Sequence, residues 1–221
     1  MARIEYQKQL EELRENVVSM SELVVERYEM ALRALETKNE SLAGGVIDGD
    51  DEINELYLDL EGECIGLFAL QQPVASDLRF VASSFKIVTD LERIADLATN
   101  LAQYTLAAER ERFPEIDMIY IGTEAGAMLT DAMDAYEAND PDRAREIAAR
   151  DNEIDSLCSS ASDAVVEDLI RTEYGDEADE VMDDVSRLLL TIRDLERVGD
   201  HAENICARTV YMADHDTELI Y

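Results

Sequence analysis

A short stretch that occurs twice places the strongest constraint on how this chain can fold. The first copy, TDLERIADLATN, covers residues 89–100, and the second, RDLERVGDHAEN, covers residues 193–204. Each copy holds two acidic residues four positions apart: Glu92 with Asp96, and Glu196 with Asp200. Residues at this spacing lie on the same face of a helix. The sequence therefore predicts a duplicated architecture with an equivalent carboxylate pair in each half.

Apolar residues recur at helical spacing along the chain, and helix-breaking residues are scarce. Only 9 glycines and 3 prolines occur among 221 residues, which favours an all-α protein of long helices. We predict six long helices, at about residues 4–37, 39–70, 73–109, 114–138, 140–174 and 177–212. They form two tandem three-helix bundles, at residues 1–110 and 111–221.

Signals for helix starts support these limits. Asn39 and Asp140 stand at equivalent places in the two halves and are suited to be N-caps. The three prolines, Pro73, Pro114 and Pro141, each fall where a first helical turn is expected. The start signals therefore agree with the duplication.

Aligning the two halves extends the repeat to the preceding helix, where Asp50 and Asn54 lie opposite Asp151 and Asp155. If adjacent helices run antiparallel, these pairs can meet the repeated carboxylate pairs across a helix seam. Each half would then offer four oxygen-bearing side chains, enough for a hard divalent cation. The predicted metal ligands are Asp50, Asn54, Glu92, Asp96, Asp151, Asp155, Glu196 and Asp200.

A competing interpretation is that these carboxylates are solvated surface, or helix caps in the case of Asp50 and Asp151. Arg93 and Arg197 flank the pairs and are interpreted as ion-pair partners rather than catalytic groups. His201 follows the second Asp but points about 100° away from it on a helix, so it is not counted as a ligand.

The net charge of -33 excludes several classes of partner. The chain has 52 acidic and 19 basic residues, and few of the basic residues are lysines. Nucleic acid and anionic lipid surfaces would be repelled. An acidic, lysine-poor surface is typical of a protein that stays soluble in molar salt, where the Debye length falls to about 3 Å. We therefore expect a halophilic protein.

Cysteine usage and hydropathy indicate the compartment. Cys64, Cys158 and Cys206 are odd in number and widely spaced, which predicts buried thiols rather than a disulfide framework or a zinc finger. No stretch approaches the roughly 18 apolar residues of a membrane span, and the N-terminus has no signal-peptide core. These features predict a cytoplasmic protein without membrane insertion.

Four segments together resemble the PhoU family, the accessory regulators of the phosphate-specific transport system. They are VIDGDDEIN at 46–54, LQQPVASDLRFV at 70–81, TDLERIAD at 89–96 and RDLERVGDHAENI at 193–205. The resemblance covers nearly the whole chain. It implies two repeated three-helix bundles that bind metal clusters, of iron, zinc, manganese or magnesium, at Glu92, Asp96, Glu196 and Asp200, with Asp50, Asn54, Asp151 and Asp155 facing them.

The chain also departs from the family pattern. Ala95 stands where the family usually has glycine, and Asn54 reduces one facing pair to a neutral donor. The second half has no equivalent of the QPVASDLR segment. That segment includes Gln72, Pro73, Asp77 and Arg79, which match the family's loop and helix start but have no role that we can derive.

The resemblance implies a cytoplasmic, often homodimeric regulator of phosphate homeostasis. Such a protein restrains phosphate uptake and phosphate-starvation signalling, through contact with the transporter's ATPase subunit and, where one exists, a sensor histidine kinase. No catalysis is required. One alternative is a carboxylate-bridged metalloenzyme, but its ferritin-like form needs Glu-x-x-His, which neither His201 nor His215 provides. The other is a purely structural helical protein, which metal analysis would distinguish.

Overall fold

Every regular element in the described part of the chain is a helix. The computed structural model describes residues 2–69, 74–107, 116–171 and 178–220, and no strand occurs among them. The helices are α1 (Ala2–Thr37), α2 (Glu40–Asp48), α3 (Asp50–Ala69), α4 (Ala75–Ala107), α5 (Met118–Ala138), α6 (Pro141–Ala148), α7 (Asp151–Arg171) and α8 (Ala178–Asp214). The predicted all-α class and the six helical runs are confirmed.

The predicted caps occur at both equivalent positions. The side chain of Asn39 accepts hydrogen bonds from the backbone N–H groups of Ser41 and Leu42. Asp140 accepts one from the N–H of Arg143 at 3.0 Å, and Pro141 is the first residue of α6. These bonds satisfy N–H groups that have no partner within the helix. Pro73 and Pro114 lie outside the described residues.

Two of the six helical runs are each divided, so the prediction of one continuous helix at 39–70 and at 140–174 was wrong. The first run breaks at Gly49, between α2 and α3. A Cβ at Gly49 would lie 2.6 Å from Cζ of Arg27, so glycine lets this guanidinium pack against the break. The divisions place Asp50 and Asp151 at the first positions of α3 and α7. A carboxylate there faces the positive end of the helix dipole.

The two repeats share one hydrophobic core. In the first half α4 packs against α1, α2 and α3, and in the second α8 packs against α5, α6 and α7. Across the halves, α4 packs against α8 and α1 against α5, and buried residues from both halves form one cluster. The predicted boundary between residues 110 and 111 falls outside the described residues, so the limits 1–110 and 111–221 stay a prediction.

Two sequence-based expectations concern burial and hydropathy. Cys64, Cys158 and Cys206 are free and buried, as predicted. Among the helices in the described ranges, none combines the length and the apolar character of a bilayer-crossing span.

Two aspartates, one fully buried and one half-buried, hold α4 against α8. Asp194 on α8 is fully buried and accepts hydrogen bonds from Tyr104 at 2.9 Å and from Asn100 at 3.2 Å, both on α4. Its repeat equivalent, Asp90 on α4, accepts hydrogen bonds from His201 at 2.9 Å and Asn204 at 3.5 Å on α8. The contacts are reciprocal, so the two helices pack in one register.

We expect Asp194→Ala to lower the free energy of unfolding by about 3 kcal/mol, because it removes the acceptor of a buried hydrogen-bond network. Denaturant titration followed by circular dichroism measures this loss. Asp163→Ala, at an exposed position on α7, is the control and should change stability by less than about 0.5 kcal/mol. Equal stability of the two variants would contradict a structural role for the Asp194 network.

Candidate metal centre

Three aspartates of the second half converge where α7 meets α8. Asp151 and Asp155 come from the start of α7 and Asp200 from α8, and one carboxylate oxygen of each lies within 4.8 Å of the others. Asp155 and Asp200 are exposed, whereas Asp151 is 7% exposed. The cluster therefore opens to solvent on one side and has a buried carboxylate at its base.

Asp151 is the least satisfied member of this cluster. Its Oδ1 is buried and has no hydrogen-bond partner in the protein. Burial, followed by the neighbouring carboxylates with Asp155 first, raises the pKa of Asp151 to about 7. A buried carboxylate oxygen without a donor is costly unless a proton or a cation compensates it.

Gly199 makes room for this carboxylate. A Cβ at Gly199 would lie 2.8 Å from Oδ1 of Asp151, closer than real Cβ contacts. Two atoms of Ile154 would lie 3.3 Å away. Glycine on α8 therefore lets the first turn of α7 approach with its acidic side chain in place.

Two glutamates of α8 lie within reach of the charges of this cluster, and one of them, Glu203, was not predicted. Burial raises the pKa of Glu196 and of Glu203, and the charges of Asp155 and Asp200 raise both further. The prediction followed the i, i+4 spacing to Asn204 and therefore passed over Glu203, which stands one helical turn after Asp200. Asn204 instead contacts Asp90. Glu203 could have been found by comparing it with its repeat equivalent, Thr99.

The donor set of this cluster consists of oxygen atoms. Cys158 lies near enough for Glu196 and Asp155 to affect it, but burial raises the pKa of its thiol to about 12. The protonated thiol is a poor metal ligand. His201 is held by Asp90 on α4. Carboxylate oxygens suit hard cations such as Mg²⁺ and Mn²⁺ better than a structural zinc ion.

The first half has the same backbone arrangement but satisfies its carboxylates differently. Asp50 at the start of α3 accepts a hydrogen bond from Asn54 at 3.0 Å on one oxygen and from Thr99 at 3.0 Å on the other. Burial raises the pKa of Glu92 and of Asp96, and the charge of Asp50 raises both further. The four predicted residues are therefore adjacent, yet Asp50 already has donors on both oxygens.

Three differences between the halves account for this contrast. Where the second half has Asp155, Gly199 and Glu203, the first has Asn54, Ala95 and Thr99. Two acidic side chains are thereby replaced by hydrogen-bond donors, and a methyl group occupies the place of a glycine. The second-half cluster fits a cation better than its counterpart.

The flanking arginines reduce repulsion within both clusters. Arg93 lowers the pKa of Glu92 and of Asp96, although burial and neighbouring carboxylates outweigh it. Arg197 acts in the same direction on Asp96 and on Asp200. Arg197 is therefore within reach of carboxylates in both clusters, and it also lies 4.0 Å from Asp194.

The described part of the QPVASDLR segment, residues 74–79, leads into the first turns of α4. Asp77, 7% exposed, pairs with Arg3 on α1 at 2.5 Å. Arg79 donates to Nδ1 of His215, beyond the end of α8, at 2.9 Å. These bonds tie the start of α4 to both ends of the chain. Gln72 and Pro73 are not among the described residues.

Comparison with known proteins identifies the family. The sequence model of the PhoU domain matches the chain twice, at residues 17–105 and 120–209. The chain belongs to the PhoU family. The two matches agree with the duplication and confirm the resemblance that the sequence segments indicate.

Relatives and solved structures of the PhoU family match almost end to end. The chain is 31% identical to the phosphate-specific transport system accessory protein PhoU homolog of Clostridium acetobutylicum, over 96% of the chain and 95% of that protein. It is similar to the crystal structure of the phosphate transport system regulatory protein PhoU from Streptococcus pneumoniae, with a TM-score of 0.87, 29% identity, and coverage of 96% and 98%. PhoU from Pseudomonas aeruginosa also gives a TM-score of 0.87, at 31% identity, with coverage of 96% and 100%.

The raised pKa of Asp151 has a consequence for the metal-free protein. Between the ordinary aspartate pKa of 3.8 and about 7, the folded chain keeps a proton on Asp151 that the unfolded chain has released. The contribution of this group to stability therefore falls as pH rises through this window and levels off above it.

We expect Asp151→Asn to stabilise the metal-free protein, and to do so more at pH 8 than at pH 5, because the neutral amide removes a charge that the wild type carries above pH 7. Thermal unfolding in a chelator, at constant salt, measures the difference. Asp163→Asn on exposed α7 surface is the matched control, with no pH-dependent difference. An equal effect of Asp151→Asn at both pH values would contradict the raised pKa.

Proposed function

We propose that this PhoU-family protein is a cytoplasmic, homodimeric regulator that restrains phosphate uptake when phosphate is plentiful. It acts as an adaptor on the ATPase subunit of a phosphate transporter and, where one is present, on a sensor histidine kinase that controls phosphate-starvation signalling. The end-to-end match to phosphate-specific transport system accessory proteins supports this role. Dimerisation, the cytoplasmic location and the kinase come from the family resemblance, and the acidic surface suits high salt.

The second-half cluster holds divalent cations in this proposal. This assignment rests on Oδ1 of Asp151, which is buried and has no hydrogen-bond partner in the protein. A bound cation would compensate the charge of this carboxylate. Asp155, Glu196, Asp200 and Glu203 complete the ligand set, with Asp155 and Asp200 open to incoming ions. Five carboxylates carry more charge than one divalent ion neutralises, which favours a cluster of ions. Manganese, magnesium and iron suit the oxygen donors.

The first-half residues form a weaker site in this proposal. Asp50, Glu92 and Asp96 can each offer a carboxylate, but a cation must displace the hydrogen bonds that Asn54 and Thr99 make to Asp50. Those bonds compensate the carboxylate without metal. The two halves are therefore expected to bind with different affinities.

An adaptor role fits the cluster better than the metalloenzyme alternative. Its members are Asp and Glu side chains beside a protonated thiol, and His201 is occupied by Asp90. Cations bound between α7 and α8 would hold these helices together and add stability by mass action. The packing of α7 on α8 would then depend on the concentration of the metal in the cell.

We expect Asp151→Ala combined with Asp200→Ala to lower the affinity for Mn²⁺ by at least about 100-fold, because two ligands of the better site are lost. Titration calorimetry of chelator-treated protein measures the affinity, and elemental analysis measures the bound metal. The matched control is Asp50→Ala with Asp96→Ala, which should leave the tighter class of sites intact. Equal losses in both double variants, or no bound metal in the wild type, would contradict the assignment.

In cells, we expect deletion of the gene to raise phosphate uptake severalfold under phosphate-replete conditions, because the transporter loses its restraint. Uptake of radiolabelled phosphate measures this directly. Wild-type protein should restore the low rate, and the Asp151→Ala, Asp200→Ala variant should restore less at equal abundance. Unchanged uptake in the deletion strain would contradict the regulatory role, whereas full restoration by the variant would leave that role standing and remove the metal from it.

A further inference from the structure

α3 is apolar on two opposite sides. Its inner side packs into the core through the buried residues Ile53, Leu60, Cys64 and Leu67. On the outer side, Leu58, Gly62, Ile65 and Ala69 fall within an arc of about 60°. Leu58 is 62% exposed and Ile65 is 57% exposed. A surface helix normally carries polar residues on its outer side, so this apolar stripe requires an explanation.

The glycines of this stripe are not explained by packing within the chain. A Cβ at Gly62 or at Gly66 would meet no heavy atom within 4 Å. Both glycines lie inside a helix, where glycine is less stable than alanine. Small residues on a helix surface allow the backbone of a second helix to approach closely.

The second repeat provides an internal reference for this surface. α7 occupies the same place, since Ile154 and Val165 are buried there as Ile53 and Cys64 are in α3. The outward positions of α7, however, hold Ser159, Asp163, Val166, Glu167 and Ile170 where α3 has Leu58, Gly62, Ile65, Gly66 and Ala69, so α7 is apolar and exposed at only two of the five. In α7 the polar residues Ser159, Asp163 and Glu167 interrupt the apolar side, so the uninterrupted stripe occurs in α3 alone and the fold does not require it.

We propose that this outer surface, the α3 face, formed by Leu58, Gly62, Ile65, Gly66 and Ala69, docks an amphipathic helix of a second protein whose apolar stripe is flanked by lysine or arginine. The proposal rests on the proposed function, which makes the transporter's ATPase subunit that second protein. It goes further by assigning the surface and the chemistry of the docked element.

Charge at the border of the α3 face favours a basic partner over a second copy of the chain. The α3 face is bordered by Glu55 and Asp59, both exposed, and by Glu61. A second copy of the chain would bring a further net charge of -33 against this border. Like charges in contact across an interface are unfavourable, whereas a basic border on a partner helix would pair with these carboxylates at contact distance, where screening by salt is weakest.

The test transfers the surface of α7 onto α3. Gly62→Asp combined with Gly66→Glu copies Asp163 and Glu167 at exposed or half-exposed positions, where the fold tolerates them in the other repeat. The probe is the purified ATPase subunit of the organism's own phosphate transporter, and affinity is measured by biolayer interferometry over a series of salt concentrations. We expect binding to weaken at least about tenfold in this variant, and wild-type binding to weaken as salt rises.

A matched pair of single variants controls for added charge. Ile65→Asp on the α3 face should weaken binding by at least about tenfold, whereas Val166→Asp, at the equivalent position of α7, should change it by less than about twofold. Circular dichroism establishes that each variant keeps the wild-type helical signal. If a variant loses the helical signal, Leu58→Ser, which copies Ser159, is used in its place.

Each remaining outcome overturns the proposal in a distinguishable way. If the wild type binds the ATPase subunit and the variants bind it equally well, the subunit docks elsewhere. The α3 face is then ruled out as its binding site, and the adaptor function stands. No binding by the wild type overturns the adaptor function and the α3 face with it. Variants that lose self-association in sedimentation, but keep the ATPase subunit, show that a second copy covers this surface.

Discussion

The packing of α4 against α8 is the interaction on which the rest of the structure depends. These helices carry the repeated carboxylate pairs and join the two halves through a shared core. Asp194 is fully buried between them and is satisfied by Asn100 and Tyr104. A buried charge that loses its partners is costly, so this network excludes other registers of the two helices. Each carboxylate pair is thereby held opposite the start of α3 or of α7.

The duplicated backbone supports two clusters whose chemistry differs. In the first half, Asn54 and Thr99 compensate Asp50 with hydrogen bonds. In the second, Gly199 admits Asp151 among acidic neighbours that offer no donor. The second cluster therefore lowers the stability of the metal-free protein, and a cation would recover that loss on binding. The contrast separates a cluster in which both oxygens of Asp50 have donors from one in which the buried Oδ1 of Asp151 has none.

On such an acidic surface, an exposed apolar area is more informative than another carboxylate. With a net charge of -33, carboxylates on outer helix faces are expected and carry little information individually. The outward side of α3 stands out because Leu58, Ile65 and two glycines form an uninterrupted apolar surface, whereas Ser159, Asp163 and Glu167 interrupt the same side of α7. Comparing α3 with α7 sets aside the surface features that both repeats have in common. What remains is specific to the first half.

The sequence by itself determined the helical class, the duplication, the two matching caps and the residues that could form carboxylate clusters, because periodicity and repeated spacing are local properties. The sequence did not predict the helix breaks before Asp50 and Asp151, because apolar periodicity continues across them. At the first break, Arg27 packs against Gly49, a contact that the sequence does not reveal. The sequence also did not predict Glu203, because its nearness to Asp155 depends on how α7 packs on α8. Tertiary structure alone decided which carboxylates were satisfied, since a donor such as Thr99 lies far from Asp50 in the chain and meets it only when α3 packs on α4.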